Sequence, residues 1–141
     1  MFPKHVFPDT AQVNRHGHLS IGRCDVVDLA FEYGTPLYVF DEVTLRARCQ
    51  SFVREFSNRY PSTTVLYASK AFMNKALVRL FMEEGLGLDV DSGGELAVAQ
   101  AVGFPRERVY FHGNNKTRQE LEEALDWGIG RIVVDSFHEL R

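Results

Sequence analysis

Four short stretches of this 141-residue chain place reactive residue types at the ends of apolar runs. Ser69-Lys70-Ala71 follows Val65-Leu66-Tyr67-Ala68. Asp89 stands inside Leu88-Asp89-Val90, with Asp91, Ser92, Gly93 and Gly94 behind it. His112-Gly113-Asn114-Asn115-Lys116 follows Val109-Tyr110-Phe111, and Asp135 and Ser136 follow Ile132-Val133-Val134. Lys70 is the nucleophile of the set. A lysine held between apolar neighbours is partly desolvated, which favours the neutral amine that attacks an aldehyde. Position alone leaves a second reading open, a rim lysine in solvent or paired with Asp89. Asp89 needs a partner if its strand is buried. It either biases the protonation of Lys70 or serves as a structural acceptor. His112 suits stacking on a planar ring or proton transfer, or satisfies local hydrogen bonds only. Ser92-Gly93-Gly94-Glu95 sits where a helix start offers N–H groups to an anion, or forms a plain tight turn.

The elements that must position these residues follow from periodicity. The apolar runs read as strands starting at 65, 88, 109 and 132, spaced by 23, 21 and 23 residues. Helices lie between them: one opened by Asn74 and closed by Gly85, one over about 94–102 closed by Gly103, and one with a Thr117/Glu120 capping box closed by Gly128. Even alternation of this kind predicts parallel strands with helical crossovers and strand cores buried on both faces. The candidates are a (β/α)8 barrel or a doubly wound sheet. Neither a G-x-G-x-x-G turn nor a P-loop follows a strand, which lowers the nucleotide-binding sheet. In either fold chemistry belongs at the C-terminal strand ends, where all the residues above fall. Gly113, Asn114 and Asn115 suit a backbone with positive φ.

Residues 1–35 read as irregular. Leu37–Phe40 reads as a strand, and Asp41 as the N-cap of an amphipathic helix over 43–56 whose apolar face holds Leu45, Cys49, Phe52, Val53 and Phe56. A second capping box, Ser136 with Glu139, predicts another helix start. Four βα units make half of a barrel of roughly 250 residues, so the sequence is expected to be part of a longer chain. Composition is ordinary: 45% hydrophobic, 25% charged, net charge −3 from 16 basic and 19 acidic residues. No basic surface points to nucleic acid, and no run is apolar enough for a signal peptide or membrane span. Cys24 and Cys49 have neither disulfide nor metal-ligand spacing, so no metal is expected and a cytoplasmic setting is the expectation.

Tyr67-Ala68-Ser69-Lys70-Ala71, Gly87-Leu88-Asp89-Val90-Asp91-Ser92-Gly93-Gly94-Glu95-Leu96 and His112-Gly113-Asn114-Asn115-Lys116 together resemble the diaminopimelate decarboxylase family. That family is a branch of the fold-type III, alanine-racemase-like pyridoxal-phosphate enzymes. Tyr33–Asp41 resembles its entry segment, so the likeness runs from about residue 33 to 141. The H-G-N-N-K loop is its most branch-specific part. The resemblance implies a partial (β/α)8 barrel of about four βα units over residues 41–141, with residues 1–40 packing on a C-terminal β domain. It implies that Lys70 bonds the aldehyde of pyridoxal 5'-phosphate, with Asp89 beside it and His112 lining the cofactor site. It also implies PLP-dependent decarboxylation of meso-2,6-diaminopimelate to L-lysine and CO2, in a homodimer. In the family the partner of the pyridine nitrogen, the glycine-rich phosphate loop and the substrate-binding arginine lie further along the chain. So does a cysteine motif that the second subunit contributes. These 141 residues alone are therefore expected to be inactive and to bind the cofactor weakly or not at all. Asp91, at a position often apolar in relatives, takes no role in this reading. The alternatives are another fold-type III decarboxylase acting on ornithine, arginine, lysine or carboxynorspermidine, a non-catalytic pyridoxal-phosphate-binding barrel, and a metal-dependent or phosphosugar barrel.

Overall fold

A computed structural model describes Pro3 and residues 6–140. The chain divides into two compact units, residues 1–51 and 52–141.

The first unit corrects the expectation of irregular structure over residues 1–35. Three short antiparallel strands, β1 (Gln12–Val13), β2 (Leu19–Ile21) and β3 (Cys24–Asp25), pair in chain order. Pro and Gly hid them because they serve here as turn residues: Gly17 and Gly22 take φ of +77° and +57°. Asp25 accepts a hydrogen bond from the Val27 N–H and caps α1 (Val26–Tyr33). Leu37–Phe40 forms no strand, again against expectation. A β-favouring run becomes a strand only within a ladder, and among the described residues no strand pairs with it. Asp41 is buried and accepts from the Thr44 N–H at 3.2 Å, the predicted N-cap of α2 (Glu42–Ser57). Of the expected apolar face of α2, Cys49 is buried while Phe52 and Phe56 stay about half exposed.

The second unit holds four parallel strands in unbroken chain order: β4 (Leu66–Ala68), β5 (Gly87–Val90), β6 (Val109–Phe111) and β7 (Arg131–Ile132). A doubly wound sheet reverses its order at a switch point, and no reversal occurs here. Helices α3 (Lys75–Glu83), α4 (Gly93–Ala101) and α5 (Arg118–Trp127) connect them. Their N-caps are Asn74, Ser92 and Thr117, each accepting from the backbone N–H three residues on. The helices cover one face of the sheet. Leu88 and Val90 of β5, Val109 and Phe111 of β6, Val78 of α3, Ala99 of α4 and Ala124 of α5 are all fully buried. Each large aliphatic or aromatic side chain so buried contributes roughly 1.5–3 kcal/mol. Tyr67 stacks on Phe81 of α3 at 4.0 Å between ring centroids. Only that face is dry, so burial on both faces is not observed: Asp89 and Tyr110 alternate onto the other side and are partly exposed.

Two glycines are required by contact. A Cβ on Gly87 would lie 2.5 Å from the Arg108 carbonyl oxygen, and one on Gly130 would lie 2.2 Å from that of Glu107. The fourth strand is shorter than expected, and Ser136–Glu139 opens a single turn instead of a helix. Its cap bonds still form: Ser136 Oγ accepts from the Glu139 N–H, and the Glu139 carboxylate accepts from the Asp135 N–H at 2.7 Å.

Candidate active site

Register places the site. Ala68 pairs with Asp89, and Asp89 with Tyr110. Strand alternation then brings Lys70, Asp91 and His112, each two residues further on, to one rim on the face away from the helices. Lys70 sits in a 3-10 turn, Ser69–Ala71, that ends β4. Its Nζ lies 3.5 Å from the Asp91 carboxylate, and its side chain is 67% exposed. The expected apolar enclosure is therefore absent from the described residues, which leave the rim open above it. The carboxylate within ion-pair distance of Lys70 is that of Asp91, not Asp89. Asp89 faces His112 instead, with Oδ2 3.4 Å from Nδ1. Ligand atoms of Asp89, Asp91 and His112 lie within 4.8 Å of one another.

Sequence reasoning gave Asp91 no part. The signal was present in the register, because residues two past a paired couple are themselves neighbours. Lys70, Asp91, Ser92, His112, Gly113 and Asn114 line an open cleft of about 650 Å³.

The loop after β6 is held from both ends. The His112 N–H donates to the Val90 carbonyl at 2.8 Å. Gly113 has the expected positive φ, +97°, and a Cβ there would lie 3.3 Å from the Asp91 carbonyl oxygen. Thr117 and Glu120 form the predicted capping box. Glu120 also accepts from the Gly93 N–H at 2.7 Å, and Glu95 accepts from the Asp91 N–H at 2.7 Å. The start of α4 is thus closed by the chain's own carboxylates. The turn at Ser92–Glu95 forms, with Ser92 as N-cap and Glu95 in the first turn of α4. The Gly93 N–H, followed by the N–H and the hydroxyl of Thr117, holds the Glu120 carboxyl below the usual carboxylate range.

Residues 44–141 match the family model described as pyridoxal-dependent decarboxylase, pyridoxal binding domain. The chain belongs to this family. It is 54% identical over 131 residues to the diaminopimelate decarboxylase of Bacillus subtilis, a match covering 93% of this chain and 30% of that one. It superposes on the crystal structure of a diaminopimelate decarboxylase from M. jannaschii in complex with L-lysine with a TM-score of 0.82, at 33% identity over 94% of this chain and 31% of the other. A lysine/ornithine decarboxylase from Vibrio vulnificus gives a TM-score of 0.66 at 26% identity, covering 82% of this chain and 31% of the other. The chain spans about a third of the length of these relatives. Its parallel unit is accordingly the opening part of an alanine-racemase-like (β/α)8 barrel, and the family's cofactor is pyridoxal phosphate.

The donor set fits that cofactor at its aldehyde end. An accessible primary amine stands at the mouth of the cleft, and an imidazole backed by a carboxylate stands beside it. At the start of α4 the Asp91 and Gly93 N–H groups are taken by Glu95 and Glu120.

Proposed function

We propose that this chain carries the lysine side of the cofactor site of a decarboxylase. In the complete protein that enzyme converts meso-2,6-diaminopimelate to L-lysine and CO2. The observation that supports this best is the single rim holding Lys70, Asp89, Asp91 and His112, in a chain whose relatives are diaminopimelate decarboxylases.

Lys70, Asp89 and His112 would hold pyridoxal phosphate. Bound there, the cofactor supplies an aldehyde carbon that captures amines and a ring that accepts the electron pair left when CO2 departs. Lys70 supplies the amine that bonds that carbon. The Lys70 Nζ, 3.5 Å from the Asp91 carboxylate, would be placed to deliver or accept a proton there. Asp89, accepting from His112, favours the ring form with its proton on Nδ1 and leaves Nε2 as the acceptor nitrogen. The loop 112–116 orients His112 and walls one side of the cleft.

A homodimer, a cytoplasmic setting and an amino-acid substrate belong to the same proposal. Among the described residues no helix is long and apolar enough to cross a membrane. Residues 1–40 are proposed to pack on a β domain beyond the barrel. Phe31 and Tyr38, 91% and 87% exposed, offer that domain an apolar surface.

Replacing Lys70 by Ala in the complete protein should remove the visible absorbance of lysine-bound cofactor and lower kcat by roughly a thousandfold or more. Retention of either would take Lys70 out of the mechanism. Assays of CO2 release from meso-diaminopimelate, lysine, ornithine and arginine test the substrate. Faster turnover of any of the last three would overturn that part.

A further inference from the structure

The loop after β6 ends on Lys116, whose side chain is fully enclosed, with 0% exposed. Its ammonium meets the Glu139 carboxylate at 2.6 Å, the Val133 carbonyl oxygen at 2.9 Å and the Gly113 carbonyl oxygen. Three N–H donors thus have three acceptors, the full complement of an ammonium group. An enclosed cation is tolerated only with such pairing. The same contact holds the Glu139 carboxyl below the usual carboxylate range, the Lys116 hydrogen bond being the largest cause.

The three acceptors lie on different segments. Gly113 directly follows His112, Val133 directly follows β7, and Glu139 belongs to the turn beyond it. One buried charge therefore ties the rim of β6 to the rim of β7, and its nearest backbone anchor is the neighbour of the imidazole that faces Asp89. Nothing in the decarboxylation chemistry above uses Lys116 itself.

We propose that Lys116 is a positioning residue: its buried ammonium fixes the Gly113 carbonyl and so sets His112 against Asp89. This rests on reading the rim as the cofactor site. Losing the clasp leaves two carbonyls and a carboxylate without their donor, and the 112–116 loop must move to find water.

The test is made on the complete protein with Lys116→Met and, as a gentler variant that keeps an acceptor at position 139, Glu139→Gln. The first readout is the NMR signal of the His112 ring in cofactor-free protein. The second is pyridoxal phosphate affinity and absorbance, measured where each variant is folded. In Lys116→Met the ring signal should shift and the cofactor dissociation constant should rise, by up to about a hundredfold for displacement of about an ångström. Glu139→Gln should move both in the same direction by less. In a His112→Ala background, Lys116→Met should add less than about twofold, because the two act through one contact. If either folded variant keeps the wild-type ring signal, affinity and absorbance and loses only thermal stability, Lys116 is a structural clasp and the inference falls. If Lys116→Met does not fold, Glu139→Gln decides alone by the same criteria. Failure of the underlying reading looks different: Lys70→Ala would then keep the bound-cofactor spectrum, while the ring signal of His112 still judges Lys116.

Discussion

Asp25 gathers three donors around one carboxylate. Burial pushes its carboxyl up, but His18 at 2.9 Å, the Val27 N–H at 2.8 Å and Asn14 at 2.6 Å outweigh that. The group is brought from 3.8 down to about 2. A lowered folded-state value means that the anion stabilises the fold fully above the ordinary value, and that this is lost as pH falls through about 2. The Asp25 carboxyl carbon should accordingly titrate by NMR with a midpoint at about 2. A midpoint near 3.8 would refute the arrangement. Asn is also a good N-cap, so Asp25→Asn should keep the start of α1. It should destabilise the hairpin unit at neutral pH by an amount that fades towards about pH 2. At the rim, Lys70, Asp89 and His112 were all legible as strand-end residues. Which carboxylate meets Lys70 was not, because that depends on register and side-chain alternation across two strands.

Capping explains why the elements begin where they do. Thr117 Oγ accepts from the Glu120 N–H at 3.3 Å, and the Glu120 carboxylate accepts from the Thr117 N–H at 2.9 Å. Thr117→Ala removes half of that reciprocal pair and should cost about 1 kcal/mol, read from the urea midpoint with an unchanged slope. A change within a few tenths would show that the box contributes little. This capping box could be seen in the sequence because its partners are three residues apart. The bond from the Gly93 N–H to Glu120 spans 27 residues and could not. The Ser136/Glu139 box shows the reverse case. Its local bonds form, but a cap nucleates a helix only where following residues continue it and pack. Leu37–Phe40 fails as a strand for a related reason, since β propensity without a pairing strand builds no ladder.

For the whole chain, the decisive fact is how much apolar and hydrogen-bonding surface the described residues leave uncovered. β4 and β7 end the parallel sheet, and among the described residues neither has a strand on its outer side. Phe31, Tyr38 and Phe137 are each more than four-fifths exposed. Open strand edges and apolar patches of this kind drive association. The 141 residues expressed alone should therefore self-associate in sedimentation velocity and bind a hydrophobic dye. A monodisperse monomer without dye binding would contradict this. The sequence by itself determined the parallel strand–helix alternation, the helix caps Asp41, Asn74 and Thr117, the family resemblance and the strand ends where chemistry belongs. Those features are local, set by apolar period, capping spacing and short motifs. Tertiary structure alone decided that β1–β3 form a sheet, that Asp91 rather than Asp89 meets Lys70, that the start of α4 is closed by Glu95 and Glu120, and that Lys116 is buried between two strand ends. The Lys70–Asp91, Gly93–Glu120 and Lys116–Glu139 contacts join segments distant in sequence, and the β1–β3 sheet, though local, depends on backbone pairing; in each, register and packing select the partner and no short motif encodes it.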